Sequence, residues 1–150
     1  MLHVALFEPE IPWNTGNVGR TCLAARTRLH LIRPFGFSLH EKRIRRAGLD
    51  YWTHVDPTVH ASFAAFEAAL PGLGAPFFFC ADAGRDLYET EIPDDAVFVF
   101  GRESDGFPEK IRVRYRAAEV RLPIADARVR SLNLSTCVGI AVYEALRRRA

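Results

Sequence analysis

Apolar residues in this chain follow two rhythms. Short, largely apolar runs occupy His3–Phe7, Leu29–Arg33, Pro76–Cys80 and Ala96–Phe100, and Glu119–Leu122 alternates charged and apolar residues. All five read as strands, and several of them are continuously apolar, as strands buried on both faces are. Between them apolar positions recur at helical spacing. A helix is expected from Gly16 to Arg28, with Val18, Cys22, Ala25 and Leu29 on one face. Asp56 followed by Pro57 predicts another start, with Asp as N-cap and Pro in the first turn. That helix would bury Val59, Phe63, Phe66 and Leu70 and stop at Pro71-Gly72. The last helix spans Leu134 to Leu146 and turns Leu134, Val138, Ala141, Val142 and Ala145 inward. Glu41 to Ala47 reads as a short basic helix closed by Gly48, and Trp52 to Val55 as a third strand. Strands alternating with helices predict an α/β fold, a mostly parallel sheet with helices on both faces. In such folds ligands bind beyond the carboxyl ends of the strands.

Three polar segments interrupt the pattern at that edge. Asn14-Thr-Gly-Asn-Val-Gly-Arg20 leads into a helix, where glycines admit a ligand close to the backbone and N–H groups attract anions. Phe100-Gly-Arg-Glu-Ser-Asp-Gly-Phe-Pro108 leaves a strand through Gly101. Arg128-Val-Arg-Ser-Leu-Asn-Leu-Ser135 precedes the last helix with more polar groups than one cap needs. Taken singly, each also reads as an ordinary feature: a turn with an Asn cap, a loop with its own Arg–Glu pair, a Ser or Asn N-cap. Neither a Gly-x-Gly-x-x-Gly nor a phosphate loop ending in Gly-Lys-Ser/Thr is present. A serine-hydrolase elbow is absent too.

Composition narrows this only a little. At 150 residues the chain reads as one domain, 1–150, and roughly 70% of its unfolded surface can be buried. The net charge of +2 does not announce a polyanion partner. Only Lys42 and Lys110 are lysines among 20 basic side chains. Arginine suits phosphates and bases, although a bias in codon usage gives the same surplus. The basic cluster Lys42, Arg43, Arg45, Arg46 beside Tyr51 and Trp52 suits phosphates and unstacked bases, and equally a solvated helix face. Cys22, Cys80 and Cys137 are widely spaced, and neither they nor the five histidines have metal-ligand spacing. No metal is expected. With no signal-like segment and no apolar run near membrane length, a cytoplasmic protein is expected, not a membrane one.

Together, in order and spacing, the three polar segments resemble the motifs of the SPOUT superfamily of knotted RNA methyltransferases. Glu8-Pro-Glu-Ile-Pro12 and Lys42-Arg-Ile-Arg-Arg-Ala-Gly-Leu-Asp-Tyr51 narrow the likeness to minimal members without an added RNA-binding domain. Those members methylate the ribose 2′-hydroxyl of nucleotide 34, a cytidine or modified uridine, in tRNA. The resemblance implies a C-terminal deep trefoil knot, a homodimer, S-adenosylmethionine as methyl donor and tRNA, of the leucine type, as partner. Another tRNA or rRNA position, or a knotted RNA-binding domain without catalysis, remains open.

By position, the resemblance assigns donor contacts to Cys80, Gly101, Leu122 and Ser131, with Ile124 and Leu132 nearby. The segment Cys80-Ala-Asp-Ala-Gly84 departs from the Thr or Leu with Gly that relatives often carry. Arg20 is expected to stabilise the oxygen that attacks the methyl group. An arginine is never deprotonated in proteins, so electrostatic stabilisation is preferred to general-base chemistry. Glu103 is expected to orient Arg20 or a partner residue, Asn133 and Ser131 to shape the donor loop, and Asn14 to support the first motif. Lys42, Arg43 and Arg46 are the expected phosphate contacts.

Overall fold

The computed structural model describes residues 1–40, 42, 44, 46 and 51–150. Six strands form one sheet: β1 (Leu2–Phe7), β2 (Arg28–Ile32), β3 (Thr58–His60), β4 (Ala75–Phe79), β5 (Ala96–Phe100) and β6 (Glu119–Val120). Their order is β3-β2-β1-β5-β4-β6. All pairings are parallel, with Leu6 opposite Leu31 on one side and Phe100 on the other. Connections from β1 run outward through β2 to β3. The later strands lie on the other side, so the order switches between β1 and β5. A crevice is expected there, beyond the carboxyl ends of the strands.

Alternating side chains divide the core. Val4, Leu6, Phe98 and Phe100 face α1 (Pro12–Ala24) and the last helix, which contributes Val138, Ala141 and Val142. Ala5, Phe7, Val97 and Val99 face Phe66 and Leu70 on the opposite side. Phe66, Phe78 and Phe98 are fully buried, and truncating such a ring to Ala typically costs about 3–5 kcal/mol.

Several boundaries differ from the sequence-based expectation. α1 begins at Pro12, not Gly16, so the segment 14–20 is helix rather than a loop before one. Its end is a Schellman turn: Arg26 takes the left-handed conformation at φ +51°, and the Thr27 N–H reaches the Cys22 carbonyl. The chain then reverses into β2, which is why Leu29 is a strand residue. Trp52–Val55, expected as a strand, is a helical turn, α2. Its Trp52 indole donates to the Leu39 carbonyl at 2.8 Å and lies against Gly19, where a Cβ would come within 2.7 Å of the ring. That packing overrides strand propensity. Asp56, expected as an N-cap, is left-handed at φ +43° and closes α2. The strand follows at Thr58, pairing with β2, and Val59 is exposed. The next helix, α3 (Phe63–Ala69), is capped by Ser62. A further helix, α4 (Glu109–Tyr115), was not anticipated, because Ile111 is its single buried residue. The last helix, α5, runs Leu134–Arg149, beyond the expected Leu146. Of the expected 41–47 helix, Lys42, Ile44 and Arg46 are helical. The other residues, Arg43 among them, and the Gly48 cap lie outside the described residues.

Three histidines cross β1, β2 and β3 as a hydrogen-bonded row. His3 Nδ1 is 2.9 Å from His30 Nε2, and His30 Nδ1 is 3.0 Å from His60 Nε2. Burial, then the positive neighbours His3, His60 and Arg28, push His30 down to about 4 from an ordinary 6.5. Burial lowers His3 and His60 as well. The folded state therefore prefers neutral histidines, while the unfolded chain takes up protons below 6.5. Stability should be independent of this row above pH 6.5 and fall as the pH drops towards 4. Urea midpoints measured across that range test this: the decline should be shallower in His30→Phe, and an unchanged slope would place the titration elsewhere.

Candidate active site

A cleft of about 710 Å³ opens at the carboxyl edge of the sheet, beside the strand-order switch. Its floor is the ends of β4 and β5, where Cys80 and Gly101 leave the sheet. Leu122 and Ile124, which follow β6, form an apolar wall. Ser131, Leu132 and Asn133 close the far side, and Ile11 and Asn14 enter from α1. All six residues expected to contact a donor line this one cavity, as do Asn14, Glu103 and Asn133. The volume and mixed lining are those of a small-molecule pocket.

The loop 101–107 is a tight turn. Arg102 and Gly106 exchange backbone hydrogen bonds of 3.1 and 3.0 Å, and Gly106 has φ +68°. A Cβ on Gly101 would lie 2.7 Å from the Gly106 Cα, so the turn closes only because residue 101 lacks one. Arg102 is held between Glu8 at 2.9 Å and Asp105 at 2.7 Å, over the Phe7 ring.

Glu103 faces the start of α1. Its two carboxylate oxygens accept from the Glu10 N–H at 2.9 Å and the Ile11 N–H at 3.1 Å. α1 has no side-chain cap of its own, so Glu103 caps it from across the chain. Direct orientation of Arg20 is not what its contacts do: Glu103 fixes the helix that carries Arg20. Asn133 caps α5, accepting from the Ser135 N–H at 2.9 Å, and its amide donates to Asn14 Oδ1 at 3.1 Å. Asn14 is 2% exposed, so this inter-helix bond is shielded from water.

Arg20 is not brought into the cleft. It stands on the exposed side of α1, its guanidinium 5.4 Å from the Tyr51 ring centre. Lys42 and Arg46 are exposed. The cleft also holds residues the sequence did not single out. Arg112 is clamped by Asp82 and Glu119, and Arg121 and Arg130 reach the lining without a carboxylate partner among the described residues. The Arg112–Glu119 spacing of seven residues gives no local signal, because a helix end and a turn intervene. Burial pushes the Cys80 thiol up to about 12 and raises Cys137 too. Both therefore stay protonated near neutral pH and act as apolar lining, not as nucleophiles. Among the described residues no group of side chains is disposed to hold a metal ion, and no helix is long and apolar enough to cross a membrane.

Residues 1–143 match the SpoU rRNA Methylase family. A protein of Methylovorus glucosotrophus named tRNA (cytidine(34)-2′-O)-methyltransferase is 43% identical, over 98% of this chain and 95% of its own length. A solved structure described as giving insights into the 2-OH methylation of C/U34 on tRNA is 48% identical. It superposes with a TM-score of 0.93, covering 99% of this chain and 96% of that one. An AdoMet-bound rRNA methyltransferase from Sinorhizobium meliloti shares the fold at 24% identity, with a TM-score of 0.85 over 99% of this chain and 57% of its own.

The closeness of Gly101 to Gly106 makes the turn a sensitive point. In Gly101→Ala the Arg102–Gly106 pair should open, and amide exchange at both positions should accelerate by about tenfold, the equivalent of roughly one hydrogen bond. Exchange followed by NMR or mass spectrometry checks this, with global unfolding as the control.

Proposed function

From the premise that the chain belongs to the SpoU rRNA Methylase family, we propose that it transfers a methyl group from S-adenosylmethionine to the ribose 2′-hydroxyl of nucleotide 34 of tRNA, in the cytoplasm. One observation carries the reading: residues of all three polar segments, Asn14 alone from the first, line one cleft in a chain that a relative named tRNA (cytidine(34)-2′-O)-methyltransferase matches along almost its whole length. A leucine tRNA with cytidine or modified uridine at that position is the proposed substrate.

The cleft fits the proposed donor. Leu122, Ile124 and Leu132 offer apolar lining for a flat base, and Ser131 and Glu103 add polar groups to it. S-adenosylmethionine, when bound, supplies a methyl group already activated on sulfur. The chain is left to exclude water, orient the ribose hydroxyl and stabilise its oxygen as the proton leaves. Arg20 takes that last task, as a permanent cation that cannot serve as the base. A phosphate or water accepts the proton.

The position of Arg20 gives the proposal a structural condition. It shares the exposed face of α1 with Trp13, seven residues earlier, and the neighbouring α5 exposes Tyr143. A second copy packed on these helices would cover both aromatics and place Arg20 at a cleft built by two copies. Lys42, Arg43 and Arg46 are the proposed contacts to RNA phosphates, and of these Lys42 and Arg46 are exposed. One domain, 1–150, thus carries both donor pocket and RNA surface. We further propose that the C-terminal segment is knotted. The support is its path: β6 lies at the outer edge beside β4, yet α5 returns to pack on α1 near the centre of the sheet.

Incubation with labelled donor and total RNA, followed by mapping of the labelled ribose, tests the activity. Label is expected at nucleotide 34 of leucine tRNA; label at another tRNA position or in rRNA would reassign the substrate, and no label would remove the catalytic reading. Arg20→Ala should retain donor affinity by calorimetry and lose methyl transfer by a factor of about a hundred or more, the loss typical of a missing oxyanion donor. Near-normal turnover would take Arg20 out of the reaction.

A further inference from the structure

We infer that Glu10 and Ser104 are positioning residues, forming a latch that joins the donor loop 101–107 to the start of α1, so that ordering one orders the other. The inference rests on the methyl-transfer reading and adds to it how the donor pocket is coupled to Arg20.

The latch is reciprocal. Glu10 gives its N–H to the Glu103 carboxylate at 2.9 Å, and its own carboxylate accepts from the Ser104 N–H at 2.9 Å. The Ser104 hydroxyl donates to the same carboxylate at 2.8 and 3.1 Å. Backbone and side chain of one residue are thus matched by side chain and backbone of the other segment. A capping box makes the same exchange within one helix start; here the partners are 94 residues apart. Hydrogen bonds to carboxylates are the stronger kind.

The surrounding geometry makes the latch informative about position. Glu8, at the end of β1, is held at φ +45°, a conformation rare for a residue with a side chain. Its carboxylate meets Arg102 at 2.9 Å. The strained turn therefore faces the donor loop at Glu8 and again at Glu10. On its other side α1 is tied by Asn14 to Asn133, at the far wall of the cleft. The two walls that must close on a ligand are joined through the first turn of one helix. Ser104 and Glu103 themselves line the cleft, so the latch forms part of the pocket rim. A ligand that settles the 101–107 turn also settles α1, and with it Arg20, two turns further along the helix.

The neighbouring charges explain why a hydroxyl and a backbone N–H complete the latch. The guanidinium of Arg102 is taken up by Glu8 and Asp105. Glu10 and Glu103 are left to uncharged donors, and without the Ser104 hydroxyl the Glu10 carboxylate would keep only the Ser104 N–H.

Single-turnover methyl transfer and donor affinity, measured on the full chain for Glu10→Ala, Glu10→Gln, Ser104→Ala, Ser104→Thr and Glu10→Ala/Ser104→Ala, test the inference. Glu10→Ala should slow transfer by about tenfold or more, the scale of a lost hydrogen bond to a charged group. Ser104→Ala should slow it less, and Ser104→Thr, which keeps the hydroxyl, should restore it. The double variant should be no slower than Glu10→Ala, because both changes break one device. In the unaltered protein donor binding, read separately by calorimetry, should slow amide exchange at Ile11 and Asn14, and in Glu10→Ala it should no longer do so. Wild-type rates in Glu10→Ala, fully additive losses, or exchange at α1 that still responds to donor would each overturn the latch. An unaltered protein that transfers no methyl group would instead overturn the activity, and the exchange arm would still decide the latch.

Discussion

The start of α1 is the constraint on which the site depends. A helix leaves its first N–H groups without internal partners, and α1 begins at Pro12 with no capping side chain in its own segment. The Glu103 carboxylate holds that start by accepting from the N–H groups of Glu10 and Ile11, the two residues just before the helix. A carboxylate in that place also meets the positive end of the helix dipole. Removing it would strand two donors and the favourable charge together, each at a cost of order 1 kcal/mol. Because the cap comes from the loop after β5, the helix after β1 cannot be positioned until the sheet has joined those strands.

That dependence follows from the parallel sheet. β1 and β5 are direct neighbours, with Leu6 beside Phe100. The segments leaving them at the same edge are forced together, and their polar residues must satisfy one another or a ligand. Arg102 with Glu8, Glu10 with Ser104, and Glu103 with the backbone are the internal part of this settlement. The groups left facing the cleft, Ser131 and the Gly101 backbone among them, are available to a ligand. Asn133 belongs to both sets: it caps its own helix and reaches Asn14.

The parts of this architecture legible in the sequence were those set by local pattern. Ala96–Phe100 is a run of five buried apolar residues with charge before it and glycine after it, and the strand has those limits. α5 starts at Leu134 as its spacing and Asn133 implied. The residues expected to contact a donor came from the ordered motifs, and they line one cavity. Legibility failed where distant contacts decide. Nothing within 10–20 says that Glu103 will cap Pro12's helix, so the helix was begun four residues late. Trp52 to His60 was misread because an indole against Gly19 makes a helical turn from a β-prone run, and a left-handed Asp56 then ends it. Arg20 was placed correctly on a helix, but the pattern could not show that it would point away from the cleft of its own chain.

The arginine surplus shows how position, more than composition, carries the chemistry. Arg102, Arg112, Arg114, Arg128, Arg147 and Arg148 all hold carboxylates, so much of the surplus is structural. Arg148 also donates to the carbonyls of Leu87 and Tyr88, tying the end of α5 to the loop before β5. Among the described residues Arg20, Arg121 and Arg130 have no carboxylate partner, and neither do Arg26 and Arg28 at the opposite edge of the sheet. Lack of an acidic partner therefore does not by itself mark a phosphate-binding surface. Arg121 and Arg130 differ from Arg26 and Arg28 because they line a cleft, whereas the guanidinium of Arg102, which also lines it, is taken up by Glu8 and Asp105. A phosphate entering there would meet two guanidinium groups with no competing ion pair to break. The same phosphate at Arg112 would have to displace Asp82 and Glu119. Pairing with carboxylates thus fixes Arg102 and Arg112 in place and leaves Arg121 and Arg130 as the cleft arginines without such a partner among the described residues.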